Sequence, residues 1–140
     1  MVNTKIYQSV YILAEELLEA NNRGNQEAFD TLYATLQAIC TDNENTDKDH
    51  PVQWETLADF TEELEEALVI YEKALAKAIA INSKDFMSSI AFSMAVLQIE
   101  LGQTEAAITN LQNAKISCNK IEDKVLKNEI HDLLVKLTAE

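Results

Sequence analysis

Few side chains in this sequence are suited to catalysis or metal binding: two histidines (His50 and His131), two cysteines (Cys40 and Cys118), one arginine (Arg23), and an excess of carboxylates. Cys40 and Cys118 match neither a C-x-x-C redox pair nor a zinc spacing, and two thiols are too few for a disulfide framework, so both are expected reduced and partly buried. Glu129 and His131 stand two apart in NEIHD, which turns them to different sides of a helix rather than towards one metal. The E-x-x-H pair of carboxylate-bridged di-iron bundles is absent. In TDNENTDKDH, Asp42, Glu44 and Asp47 approach a calcium-loop pattern, but the sixth loop position is Asp47 rather than glycine and the twelfth is Gln53 rather than glutamate. No G-x-S-x-G, P-loop, G-x-G-x-x-G or H-E-x-x-H motif occurs. His50, in an acidic loop, and His131, on the polar side of the last helix, are both expected as solvated side chains. The sequence thus predicts a non-catalytic protein with no metal and no cofactor.

Charge narrows the partners. Eleven basic residues face twenty-four acidic ones, a net charge of -13, which argues against nucleic acid or an anionic membrane, since both need lysine or arginine to neutralise phosphate. The imbalance is local: residues 42–66 carry ten acids against Lys48 alone. A basic partner could dock there, but a solvated loop followed by acids near a helix start accounts for the run as well. No stretch approaches the length of a membrane span, and the apolar run near the N-terminus lacks a small-residue cleavage site, so a soluble, cytoplasmic protein is expected.

The elements that would position a site are helical. With 47% apolar residues, two glycines and one proline in 140 residues, an all-α single domain spanning residues 1–140 is the simplest arrangement. Residues 5–20 place Ile6, Val10, Leu13 and Leu17 at three- and four-residue spacings, and residues 26–40 do the same with Phe29, Leu32, Leu36 and Ile39. Residues 41–50 contain no apolar side chain and are expected as a flexible acidic loop. Pro51 suits the first turn of the next helix. No glycine or proline then interrupts the helical spacing of Leu57, Phe60, Leu64, Ala67, Tyr71 and Ala74. Either the chain breaks near Thr61 or one helix runs from Pro51 to Ile81, and the unbroken spacing favours the second. Ser83 caps a helix ending at Gly102, Thr104 caps another reaching residues 117–121, and Asp123 caps the last.

One pattern of small and apolar residues recurs at a period of forty. Ala67, Tyr71 and Ala74 return as Ala107, Leu111 and Ala114, Ile81 as Ile121, and Ile90 as Ile130. Such a period marks stacked helical hairpins, with alanines where helices cross closely. On these residues the chain resembles the tetratricopeptide repeat. Residues 88–121 match best, with Met94, Ala95, Gly102, Ala107, Leu111 and Ala114 at the family's signature positions. Ala67, Tyr71 and Ala74 match the second helix of a preceding unit, and Gly24, Ala28, Phe29 and Tyr33 give a fainter first one. The chain departs from the family at Ala91, Gln98 and Asn119, where tryptophan, tyrosine and proline are usual, and an ordinary helical bundle with one repeat-like hairpin is the competing architecture.

The resemblance implies antiparallel hairpins stacked as a short α-solenoid of six or seven helices. It also implies a function, a protein-interaction module binding a peptide or protein segment in a groove, with homodimerisation compatible with it. The family's groove-facing positions carry over to Ser89, Phe92, Val96, Ile99 and Glu100. Three of the five are apolar, which suits a hydrophobic segment, unless the N-terminal helices of the same chain cover them. A narrower reading is a secretion-type chaperone, because small acidic tetratricopeptide-like proteins of this size resemble those that hold hydrophobic export substrates. A metal-binding or catalytic helical bundle is the reading from another class.

Overall fold

In the computed structural model, which describes residues 4–139, the chain forms seven helices: α1 (Thr4–Asn22), α2 (Gln26–Asn43), α3 (Pro51–Asp59), α4 (Leu64–Ala80), α5 (Lys84–Glu100), α6 (Thr104–Cys118) and α7 (Lys124–Thr138). Successive helices pack as antiparallel neighbours, so α1/α2, α3/α4 and α5/α6 are hairpins and α7 closes the stack on α6. The architecture is a short helical solenoid of tetratricopeptide-like hairpins.

The recurring alanines lie where the rods approach: Ala67 is 2% exposed, and Ala74, Ala107 and Ala114 are fully buried. Buried methyl groups at these positions let neighbouring rods pack closely. Two cores result. Val10, Leu17, Leu36, Trp54, Leu57, Ala74, Ile90 and Met94 belong to one, built from α1 to α5. Ala91, Ala95, Ala107, Leu111, Ala114 and Ile130 belong to the other, built from α5 to α7.

Three helices end in the same way. After α1, α4 and α5 a residue with positive φ (Gly24 at 68°, Asn82 at 53°, Gly102 at 77°) turns the chain. The amides that follow reach back five residues: Asn25 N–H to the Ala20 carbonyl, Ser83 to Ala78 and Gln103 to Gln98, at 2.9, 3.0 and 2.7 Å. This motif satisfies carbonyls that the helix leaves free. A Cβ at Gly102 would meet nothing within 4 Å, so Gly102→Ala feels only the left-handed backbone strain. The expected cost is about 1 kcal/mol, read as a small fall in the thermal midpoint with no change in helicity.

The single helix expected over residues 51–81 is two. α3 stops at Asp59, where the Thr61 hydroxyl donates to the Leu57 carbonyl (2.7 Å) and lies 2.6 Å from the Tyr33 hydroxyl of α2. α4 then starts on Glu63, whose carboxylate accepts from the amides of Glu65 and Glu66. The spacing stays continuous because α3 and α4, folded back on each other, contribute Leu57, Phe60, Ala67 and Tyr71 to the same core. Ser83 and Asp123 cap α5 and α7 as expected, whereas Thr104 does not cap α6: the capping position is Gln103, without a side-chain bond.

The acidic segment also differs from expectation. Residues 41–43 belong to α2. Beyond them, Asp49 accepts from the Trp54 indole N–H (2.8 Å) and from Lys77 Nζ (2.6 Å), and the Lys48 carbonyl accepts from Gln53 Nε2 (2.8 Å). A segment without apolar residues is held by side chains that α3 and α4 lend to it. His50, expected in solvent, is buried: its Nδ1 accepts the Val52 amide at 3.1 Å, capping α3, and its ring stands edge-on to Phe86 at 5.1 Å.

Candidate partner-binding groove

The stack curves. α1 touches α3 and α3 touches α5, whereas contacts of that extent join neither α2 to α4 nor α4 to α6 among the described residues. Helices α1, α3 and α5 therefore lie closer together, on the inner side of the curve, while α5 and α7 leave a gap between them. On α5 the positions of Ser89 and Val96 fall, by the 100° step of a helix, between the arc that packs into the first core and the arc that packs into the second, with Phe92 at the edge of the second.

Two carboxylates of α3 face this inner side. Glu55 and Asp59 are four residues apart, one helical turn, and so share a face. The Ser89 hydroxyl of α5 donates to Glu55 Oε2 at 2.7 Å, and the Tyr71 hydroxyl of α4 donates to Asp59 Oδ1 at 2.5 Å. Ser93 also bonds to Tyr71 through its side chain. Burial pushes the Glu55 carboxyl up to about 7, against the pull of the Ser89 bond and with help from the nearby Asp59 charge. Burial raises Asp59 as well, with the Tyr71 bond opposing. Yet the Asp59 residue is open to solvent. A carboxylate that reaches water while protein crowds it on several sides is what a concave wall produces.

Beside Glu55 and Ser89 opens a cleft of about 310 Å³ between α3, the start of α5 and the start of α7. Phe86, Ile121 and Leu126 give it apolar walls, and Asp85, Asp123 and Glu129 complete its acidic rim. Val125, 69% exposed, stands at its edge.

The residues expected in the groove separate into two groups. Ser89 lines the cleft, Val96 is 39% exposed and Glu100 is exposed. Phe92 and Ile99 are half-buried, packed against the core of α5 to α7 and not under the N-terminal helices. Sequence reasoning missed Glu55 and Asp59, which it grouped with the solvated acids of residues 42–66. Their only signal is the one-turn spacing on a short helix that buries Trp54, Leu57 and Ala58 on its other sides.

Of the groups considered for chemistry, Cys40 is held inside the core. Burial pushes the Cys40 thiol up to about 12, with Asp49 and Glu44 adding to it, and Sγ lies 3.2 Å from the Gln53 carbonyl. A thiol so held is a poor nucleophile. His131 is exposed, 3.4 Å from Lys115 Nζ. Among the described residues no three His, Cys, Asp or Glu side chains converge to hold a metal ion, and no helix is long and apolar enough to cross a membrane.

The backbone as a whole superposes on a solved structure with a TM-score of 0.61. The chain is similar in fold to PcrH from Pseudomonas aeruginosa. The likeness covers 99% of this chain and 96% of PcrH at 18% identity, so it is one of backbone path. Because it runs over nearly all of both chains, it is the whole stack that this protein shares with PcrH, beyond a single repeat-like hairpin within an ordinary bundle. No protein-family model matches the sequence, and no curated protein does.

Proposed function

We propose that this chain acts as a single, non-catalytic protein-interaction domain that takes a segment of a partner protein into the inner face of its helical stack. Ser89, Phe92, Val96, Ile99 and Glu100 of α5 form the contact line. The observation that carries the reading is the open cleft at Ser89, continued along α5 by the exposed Val96. Phe92 and Ile99, half-buried, present only an edge to the segment and make the floor on which it lies.

Val96→Asp tests this directly. The side chain is already 39% exposed, so a folded variant is expected, while a carboxylate set under a bound apolar segment is desolvated without a partner. Partner capture is expected to weaken at least about tenfold, with the circular dichroism unchanged. Undiminished capture by folded Val96→Asp would reject the groove.

The narrower reading, a secretion-type chaperone, is favoured by apolar surface elsewhere. Ile79 and Ile116, 55% and 70% exposed, flank a second cleft of about 270 Å³ between α4 and α6 that also takes in Leu75 and Met87. A protein that shields a long hydrophobic substrate uses more apolar surface than one groove supplies. The exposed Tyr7, Tyr11 and Ile12 of α1 support a homodimeric form of either reading.

A further inference from the structure

The cleft between α3, α5 and α7 has a polarity that the groove reading leaves unused. Its carboxylates come from four places: Glu55 on α3, Asp85 in the first turn of α5, Asp123 at the cap of α7 and Glu129 in the second turn of α7. No lysine or arginine lines it, and none of the four is in an ion pair among the described residues. α5 and α7 both begin here, and a helix start carries roughly half a positive charge, so two of them offset about one of the four carboxylates. The cleft stays strongly negative.

Apolar surface adjoins that charge. Phe86 and Leu126 are half-buried walls, Ile121 is buried behind them, and Val125 is exposed at the mouth. A lysine or arginine side chain has this same split character: an aliphatic stem that packs on apolar walls and a cationic head that meets carboxylates. A neutral apolar side chain would leave the carboxylates desolvated and unpaired, and an acidic one would be repelled.

We infer that the partner segment carries a lysine or arginine next to an apolar residue, the cation seated among Glu55, Asp85, Asp123 and Glu129 and the apolar residue lying towards Val96. This inference rests on the groove reading and specifies the chemistry of its occupant.

The test uses the full chain and a phage-displayed library of random dodecapeptides, with the selected sequences resynthesised as fluorescein-labelled peptides. Binding is measured by anisotropy against the wild type and three variants. Asp85→Lys with Glu129→Lys reverses the cleft rim at two exposed positions. Glu65→Lys with Glu72→Lys makes the same change in net charge on exposed positions of α4. Val96→Asp disables the groove. Selected peptides are expected to pair Lys or Arg with an apolar neighbour, to bind about fivefold more weakly after rim reversal, to lose binding in Val96→Asp, and to tolerate the α4 reversal. Neutral or acidic peptides that need Val96 but ignore the rim reversal would overturn the cationic occupant and leave the groove standing. Equal weakening by both charge reversals would reduce the effect to bulk charge and overturn it too. No selected peptides, or peptides indifferent to Val96→Asp, would overturn the groove reading itself.

Discussion

Trp54→Ala is expected to cost about 3–5 kcal/mol, a large part of the 5–15 kcal/mol that stabilises an ordinary domain. The side chain is 4% exposed in the core of α1 to α5. Its indole N–H holds Asp49 at 2.8 Å, and Lys73 and Lys77 Nζ stand 4.5 and 5.2 Å from the ring centroid. Truncation therefore opens a cavity, removes a charge-assisted hydrogen bond and takes the π face from two lysines at once. The Lys77–Asp49 pair, 2.6 Å apart with side chains 17% and 8% exposed, would lose the wall that shelters it. The thermal midpoint, followed by circular dichroism because Trp54 is the only tryptophan, should fall by roughly 10–15 °C. Trp54→Phe keeps most of the ring packing and loses the N–H donor, so a fall about a third as large is expected. A loss below about 1 kcal/mol for Trp54→Ala would mean that the acidic segment is not anchored there.

Glu55→Gln is expected to stabilise the protein, by an amount that grows from about pH 4.5 and is complete above about pH 7. The folded carboxyl titrates at about 7, whereas its ordinary value is 4.5. Between those values the folded state holds a proton that the unfolded state has released. The favourable contribution is thus complete below about pH 4.5 and is lost as pH rises through 7, where ionised Glu55 becomes a burden of at most about 3 kcal/mol. Glutamine removes the burden, and its carbonyl oxygen still accepts from Ser89. Urea melts should show a gain of about 1–3 kcal/mol at pH 8 and little change at pH 4.5. An equal effect at both pH values, or destabilisation at pH 8, would refute the assignment.

The repeat was legible because its cause is steric. Ala67, Ala74, Ala107 and Ala114 are all buried in the two cores, as small residues at close crossings must be, and the resemblance read from them matches the stack found. Ser83 and Asp123 were legible as caps because their short oxygens reach the Phe86 and Leu126 amides. The break at Thr61 was not, since both helices feed one core and the hydrophobic spacing runs straight across it. Its agents are a tertiary bond from Tyr33 and a glutamate cap at Glu63, and glutamate is an uncommon cap. The acidic run hid two kinds of residue under one composition. Asp49 is paired with Lys77, twenty-eight positions away, and burial lifts its carboxyl while the bonds from Lys77, Asn45 and Trp54 bring it below the usual carboxylate range. Glu55 and Asp59 face hydroxyls from α5 and α4. No local pattern announces such distant partners, so acids with three different environments look alike in the sequence. His50 was misplaced for the same reason, because Phe86 covers it from thirty-six positions away.

The fifth helix belongs to both cores, with Ile90 and Met94 set into one and Ala91 and Ala95 into the other. Neither half of the stack can shift against its neighbour without rolling that rod. A segment bound as proposed along Ser89 and Val96 would bear on this one axle, which both halves share.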